Sequence, residues 1–122
     1  LFQDDGYTNP QKLLQIFERM NKLTCFCGHT HVPGVFVDDP FFEPPEELGD
    51  SGKYTIGEEK VIINVGSVGQ PRDRDPRAAY AVVDGDEVEF VRVPYDIDAT
   101  ARKIRDNAFL DDFLASRLYE GK

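Results

Sequence analysis

Apolar residues recur along the chain with two different periods. Leu13, Leu14, Ile16, Phe17 and Met20 fall at helical spacing, with Lys12, Glu18, Arg19 and Lys22 between them facing out. Thr8-Asn9-Pro10 ahead of them is a helix start, an Asn cap followed by proline where a missing N–H costs nothing. Residues 23–27 read as a short strand stopped by Gly28, and Val35-Phe36-Val37 as another. Tyr54-Thr55-Ile56 and Val61-Ile62-Ile63 read as strands around the turn Gly57-Glu58-Glu59-Lys60. Residues 61–65 are almost unbroken apolar, as expected of a strand buried on both faces. Residues 78–83 and 88–93 flank Asp84-Gly85-Asp86, a strong hairpin signal. In its second strand Val88 and Phe90 are set against Glu87, Glu89 and Arg92, which predicts one wet face. Asp98 is expected to cap a helix through about Asn107. A further helix would carry Phe109, Leu110, Phe113, Leu114 and Leu118 on one face. This order predicts an α/β layered domain with mixed strands stacked against helices.

Between those segments, residues 38–51 read as a loop broken by Pro40, Pro44, Pro45 and Gly49. Asp38, Asp39, Glu43, Glu46, Glu47 and Asp50 make it strongly acidic. Phe41 and Phe42 within it need cover, and the expected arrangement is solvated acid around a tucked aromatic pair.

Composition narrows the class. The 122 residues, 1–122, fit one compact domain, and 40% hydrophobic residues allow a packed core. With 14 basic and 23 acidic residues the net charge is −9, which argues against non-specific binding to nucleic acid or anionic membranes. No apolar run approaches the ~18 residues of a spanning helix. No basic–apolar–small start marks a signal peptide, and a start at Leu1 rather than Met predicts that something precedes it. Cys25 and Cys27 are too close to close a useful loop, so a reducing, cytoplasmic setting and buried thiols are expected.

Candidate chemistry gathers in two loops. The only two histidines, His29 and His31, stand in Cys27-Gly28-His29-Thr30-His31-Val32-Pro33-Gly34. Two residues apart in extended chain, their side chains point the same way about 6.6 Å apart. They could grip one ion, or each could take one of two ions ~3.5–4 Å apart; equally they could be two surface histidines in a turn. Cys25 and Cys27 share the alternation, which raises a Cys-x-Cys-x-His-x-His zinc site as a rival. A straight strand would spread those four over about 20 Å, so only a sharp fold at Gly28 could gather them. Asn64-Val65-Gly66-Ser67-Val68-Gly69-Gln70-Pro71-Arg72 is the second loop. It could offer backbone N–H groups to an anion but lacks P-loop spacing. Arg72, Arg74 and Arg77 alternate with Asp73 and Asp75, so ion pairs are expected first and a phosphate contact by Arg72 second.

Together, Cys27-Gly28-His29-Thr30-His31-Val32-Pro33 and Asn64-Val65-Gly66-Ser67 with Pro71-Arg72 behind it resemble the calcineurin-like metallophosphoesterases, specifically their small bacterial and archaeal phosphodiesterase branch. The following hairpin and the tail Phe113-Leu114-Ala115-Ser116-Arg117-Leu118 fit that family's C-terminal part. The resemblance implies a four-layer α-β-β-α sandwich, a mixed sheet with flanking helices, of which residues 1–122 would be the C-terminal half. It implies two divalent metals (Mn, Fe or Zn), a metal-bridging hydroxide attacking phosphorus, and hydrolysis of phosphomono- or diesters. His31 would ligate the first metal and His29 the second. Gly28, Thr30, Asn64, Gly66 and Ser67 would pack beside them, with Arg72 as a phosphate contact. Val65 stands where relatives often have Pro. The family's earlier Asp-x-His, Gly-Asp-x-x-Asp, Gly-Asn-His-Asp/Glu and further histidine are not in this sequence. The resemblance therefore implies no catalytic residue in this chain and no activity alone. It also implies a missing N-terminal half, or self-association through a central strand such as residues 61–65 that has lost its neighbours. A non-catalytic zinc-binding module and an acidic protein-interaction module are the alternatives.

Overall fold

The computed structural model describes residues 1–49 and 52–122; Asp50 and Ser51, the end of the acidic loop, lie outside the described residues. Helix α1 (Asp5–Thr8) is a single turn that the apolar pattern does not announce. Asp5 organises it, accepting from Phe2 N at 2.6 Å and from Lys12 Nζ at 2.7 Å. Burial works to raise the Asp5 pKa, but those two hydrogen bonds together with the nearby positive charge, Lys12 first, hold the carboxyl below its usual range. Helix α2 (Pro10–Arg19) starts as predicted, with Asn9 Oδ1 accepting from Lys12 N at 3.3 Å and Pro10 in the first turn.

Among the described residues seven strands follow: β1 (Thr24–Cys27), β2 (Gly34–Val37), β3 (Phe41–Glu43), β4 (Lys53–Thr55), β5 (Val61–Asn64), β6 (Ala78–Asp84) and β7 (Glu87–Val93). They form two sheets, ordered β1-β5-β2-β3 and β4-β7-β6. Strand β5 runs parallel to β1 and antiparallel to β2, so the first sheet is mixed. Leu13 and Phe17 of α2 pack on one face of it, against Val32, Phe36, Phe42 and Ile62. Val35, Val61 and Ile63 on the other face meet Val88 of the second sheet. All four residues of β5 are buried, as a strand covered on both faces must be. Helices α3 (Ile97–Arg105) and α4 (Phe113–Glu120) pair with each other, and Tyr119 Oη donates to Asp98 Oδ1 at 2.7 Å.

Several expectations are corrected. The strands at 54–56 and 61–63 are not partners, because β4 joins β7 and β5 joins β1 and β2. The acidic loop contains β3 and a 3₁₀ turn at Pro45–Glu47. There Phe42 is buried 4.8 Å from the Phe36 ring centroid, and Phe41 sits 5.4 Å from Tyr7, so the aromatic pair is tucked in. Asp96, not Asp98, caps α3, accepting from Ala99 N at 2.8 Å. Phe109 and Leu110 precede α4, and Phe109 and Phe113 are exposed; Ala115 and Leu118 supply its buried face. Arg92 lies on the inner face with Val88 and Phe90, since even positions of β7 share a face. Strand β5 keeps both neighbours, and the edges of this sheet are β1 and β3. In β1 Cys25 and Phe26 are exposed, so the expectation of buried thiols fails for Cys25, while Cys27 is half-buried against the α2 core.

Candidate functional site

Parallel pairing places the C-terminal ends of β1 and β5 together, so the loops that follow them are neighbours. Cys27 stands opposite Asn64, and Val65 N donates to Cys27 O at 2.9 Å, closing the pairing. Loops beyond parallel strand ends are where α/β sheets commonly build sites. Asn64 is buried with both side-chain polar atoms bonded: Nδ2 donates to Thr30 Oγ1 at 2.7 Å, and Oδ1 accepts from Gly66 N at 3.0 Å. Thr30 is buried between the two histidines, so this bond ties the histidine loop to the glycine loop.

His31 is held on two sides by the second loop. Its ring Nδ1 donates to Gln70 O at 2.8 Å, and its own carbonyl accepts from Arg72 N at 3.1 Å. A carbonyl oxygen can only accept, so Nδ1 carries the hydrogen and the neutral ring keeps its lone pair on Nε2. His31 has φ 63°, a left-handed conformation that costs a non-glycine residue free energy and persists only where the surroundings enforce it. His29 is exposed. The structure therefore brings His29, Thr30, His31, Asn64, Gly66 and Ser67 into one neighbourhood. Gln70 belongs there too; its part is played by a main-chain carbonyl, which no side-chain pattern announces.

Arg72 departs from expectation. Of the three loop arginines only Arg77 takes the predicted partner, Asp75 at 2.5 Å. Asp73 is taken by Arg92 from β7. Among the described residues Arg72 and Arg74 make no ion pair; Arg72 Nη2 donates instead to Gln70 Oε1 at 2.9 Å. The Arg72 side chain is thus exposed and held by the residue whose carbonyl meets the His31 ring.

No family model matches the sequence. An uncharacterized protein of Methanocaldococcus jannaschii is 41% identical over 100 residues, 80% of this chain and 39% of that protein. The crystal structure of a metallophosphoesterase from Sphaerobacter thermophilus superposes with a TM-score of 0.81 at 36% identity, over 93% of this chain and 49% of that one. The fold is that of the metallophosphoesterases. The chain spans about half the length of the relatives it matches, or less.

Within this metallophosphoesterase fold the cysteines and histidines do not converge. Among the described residues no three His, Cys, Asp or Glu side chains gather in metal-binding range, so the Cys-x-Cys-x-His-x-His arrangement is not formed. Cys27 turns toward the α2 core, and burial, with Cys25 beside it, pushes its thiol pKa up, away from the thiolate a metal needs. A groove of about 760 Å³ lies elsewhere, lined by residues that include Leu14, Phe17, Leu23, Asp38 and Glu58, and by none from either loop.

Gly66 sets how closely the loops approach. Its φ is 80°, and a Cβ there would lie 2.8 Å from Ala79 Cβ and 3.2 Å from Pro33 Cβ. Gly66→Ala is expected to cost about 1–3 kcal/mol from backbone strain and overpacking. Denaturant titration measures it, and an unshifted midpoint would contradict the packing described.

Proposed function

We propose that this chain supplies one face of a two-metal centre that hydrolyses phosphomono- or diesters, with His29 and His31 as metal ligands. The observation that carries the reading is the His31 ring, whose Nδ1–H is committed to Gln70 O, leaving Nε2 as a donor. The relationship to a solved metallophosphoesterase supports it. Neutral imidazole suits Mn, Fe and Zn alike. Two donors are fewer than the four of a closed zinc site, so the donor set fits part of a centre. When bound, the two ions would polarise the phosphoryl oxygens and provide hydroxide at neutral pH.

The chain's own residues would do the rest. His31 presents Nε2 from a fixed ring, while Asn64 and Thr30 hold the loop that carries both histidines. Arg72 would bind phosphoryl oxygens, for which its forked donors are suited. Neither histidine is free to act as general acid, so proton transfer to the leaving group falls to residues outside this chain. The remaining ligands would come from the part of the fold that the chain does not span. Self-association through the open β1 edge, where Cys25 and Phe26 are exposed, is the other way to cover that side. Free thiols, one of them exposed, fit a reducing, cytoplasmic setting.

Calorimetric titration with Mn²⁺ and Zn²⁺ tests the site. Weak binding is expected in the wild type, falling about tenfold or more in His31→Ala and in His29→Ala. Equal affinity in all three proteins would sink the ligand assignment. With manganese present, the chain alone is expected not to turn over an activated phosphodiester. Turnover that disappears in His29→Ala would overturn its inactivity in isolation.

A further inference from the structure

We propose that Ser67 is a positioning residue for His31, acting through the Gln70 peptide. Ser67 Oγ accepts from Gln70 N at 2.9 Å, a side-chain turn closure spanning three residues. The same peptide unit's neighbour on the chain, the Gln70 carbonyl, accepts from His31 Nδ1 at 2.8 Å. One hydroxyl thus sits two hydrogen bonds from the imidazole.

The turn has few other supports. Ser67 itself is anchored, because its carbonyl accepts from Ala79 N at 2.9 Å at the start of β6. Pro71 is buried on the far side. Between them Val68 is 66% exposed, and a Cβ on Gly69 would meet nothing within 4 Å. Two residues therefore span solvent, and the Ser67 hydroxyl closes the turn across them. Without it, the Gln70 peptide would be held chiefly by Pro71 and by His31.

Orientation matters because His31 is held in the left-handed region. Its ring direction and tautomer are set by what Nδ1 meets. A loosened Gln70 carbonyl frees the ring to protonate at either nitrogen, and a ring protonated at Nε2 has no lone pair there. Gln70 Oε1 also accepts from Arg72 Nη2, so the same turn helps to place the guanidinium proposed to bind phosphoryl oxygens. The consequence for metal binding rests on the ligand role proposed for His31; the positioning itself does not.

Nitrogen-15 NMR of the metal-free chain, above the histidine pKa range, reads the tautomer directly, with exposed His29 as an internal reference. Wild-type His31 is expected as a single Nδ1–H form. Ser67→Ala should give a tautomer mixture, and Ser67→Thr, which keeps a hydroxyl, should restore the single form. A role confined to stability would lower the melting temperature of Ser67→Ala and leave the tautomer unchanged. That result overturns the proposal, as does a wild-type ring protonated on Nε2. Should Ser67→Ala fail to fold, Ser67→Cys, a weaker acceptor of similar shape, is judged by the same outcomes. Metal titration separates the two readings: the expected tautomers with no metal binding would remove the ligand role and leave Ser67 in place. If both hold, Ser67→Ala weakens metal binding about tenfold.

Discussion

Gly34→Ala is expected to remove about 3 kcal/mol or more of folding stability. Gly34 opens β2 with φ 152°, a region that L side chains rarely adopt. A Cβ there would collide with the Phe42 ring, lying 2.7 Å from its Cε2, and 2.7 Å from Glu43 O. Neither neighbour can yield. The carbonyl belongs to β3, which pairs with β2, and the ring is buried against Phe36. Strain and overpacking each cost about 1–3 kcal/mol, and together they are a large share of a typical 5–15 kcal/mol. The damage should also reach the site, since Gly34 stands opposite Asn64 in the β2–β5 register. Chemical denaturation would show a lowered midpoint with an unchanged slope. Gly34→Ala combined with Phe42→Leu should recover part of the loss, because the two sites share the collision. A midpoint shift worth less than about 1 kcal/mol would refute the packing argument.

Arg92→Ala is expected to cost about 2–4 kcal/mol. The Arg92 side chain is only 13% exposed and Asp73, its partner, 16%. Arg92 also lies 3.7 Å from Asp75 and donates to Arg77 O at 3.4 Å, so a single guanidinium holds the loop between Arg72 and β6. Removing it leaves Asp73 without its cation, and among the described residues Asp73 Oδ1 already has no hydrogen-bond partner. An uncompensated, largely buried carboxylate is what makes breaking such a pair costly. Replacing both members, Asp73→Leu with Arg92→Leu, should be much milder, because no unpaired charge remains. Thermal melts of the single and double variants test this. Equal losses in both would show that packing, not charge, sets the effect.

These two cases mark where the amino-acid pattern ran out. Gly34 reads as a turn residue after Pro33, and nothing nearby in sequence indicates that the Phe42 ring occupies the space above it. By polarity Arg92 groups with Glu87 and Glu89, although strand parity sets it beside Val88 and Phe90. Its reason for facing inward, Asp73, lies 19 residues away. Proximity along the chain likewise predicts ion pairing within the Arg72–Arg77 run. Asp73 pairs instead with Arg92 of β7, and Arg72 donates to Gln70 Oε1.

What the sequence determined alone is what acts over a few residues. The Asn9-Pro10 helix start and the Gly85 hairpin turn arise from local backbone chemistry, and both stand in the structure. The period of apolar residues predicted α2, and the unbroken apolar run predicted a fully covered β5. The histidine loop is recognisable because its histidines follow a strand-ending glycine, and the second loop because its glycines follow an apolar strand. Tertiary structure alone decided which strands pair, which thiols face solvent, and how those loops meet. The bonds that join them, Asn64 to Thr30 and His31 to Gln70, span 34 and 39 residues. Partners that distant are chosen by the packing of the whole sheet, because a hydrogen bond of about 1 kcal/mol forms only where burial has already brought its ends together.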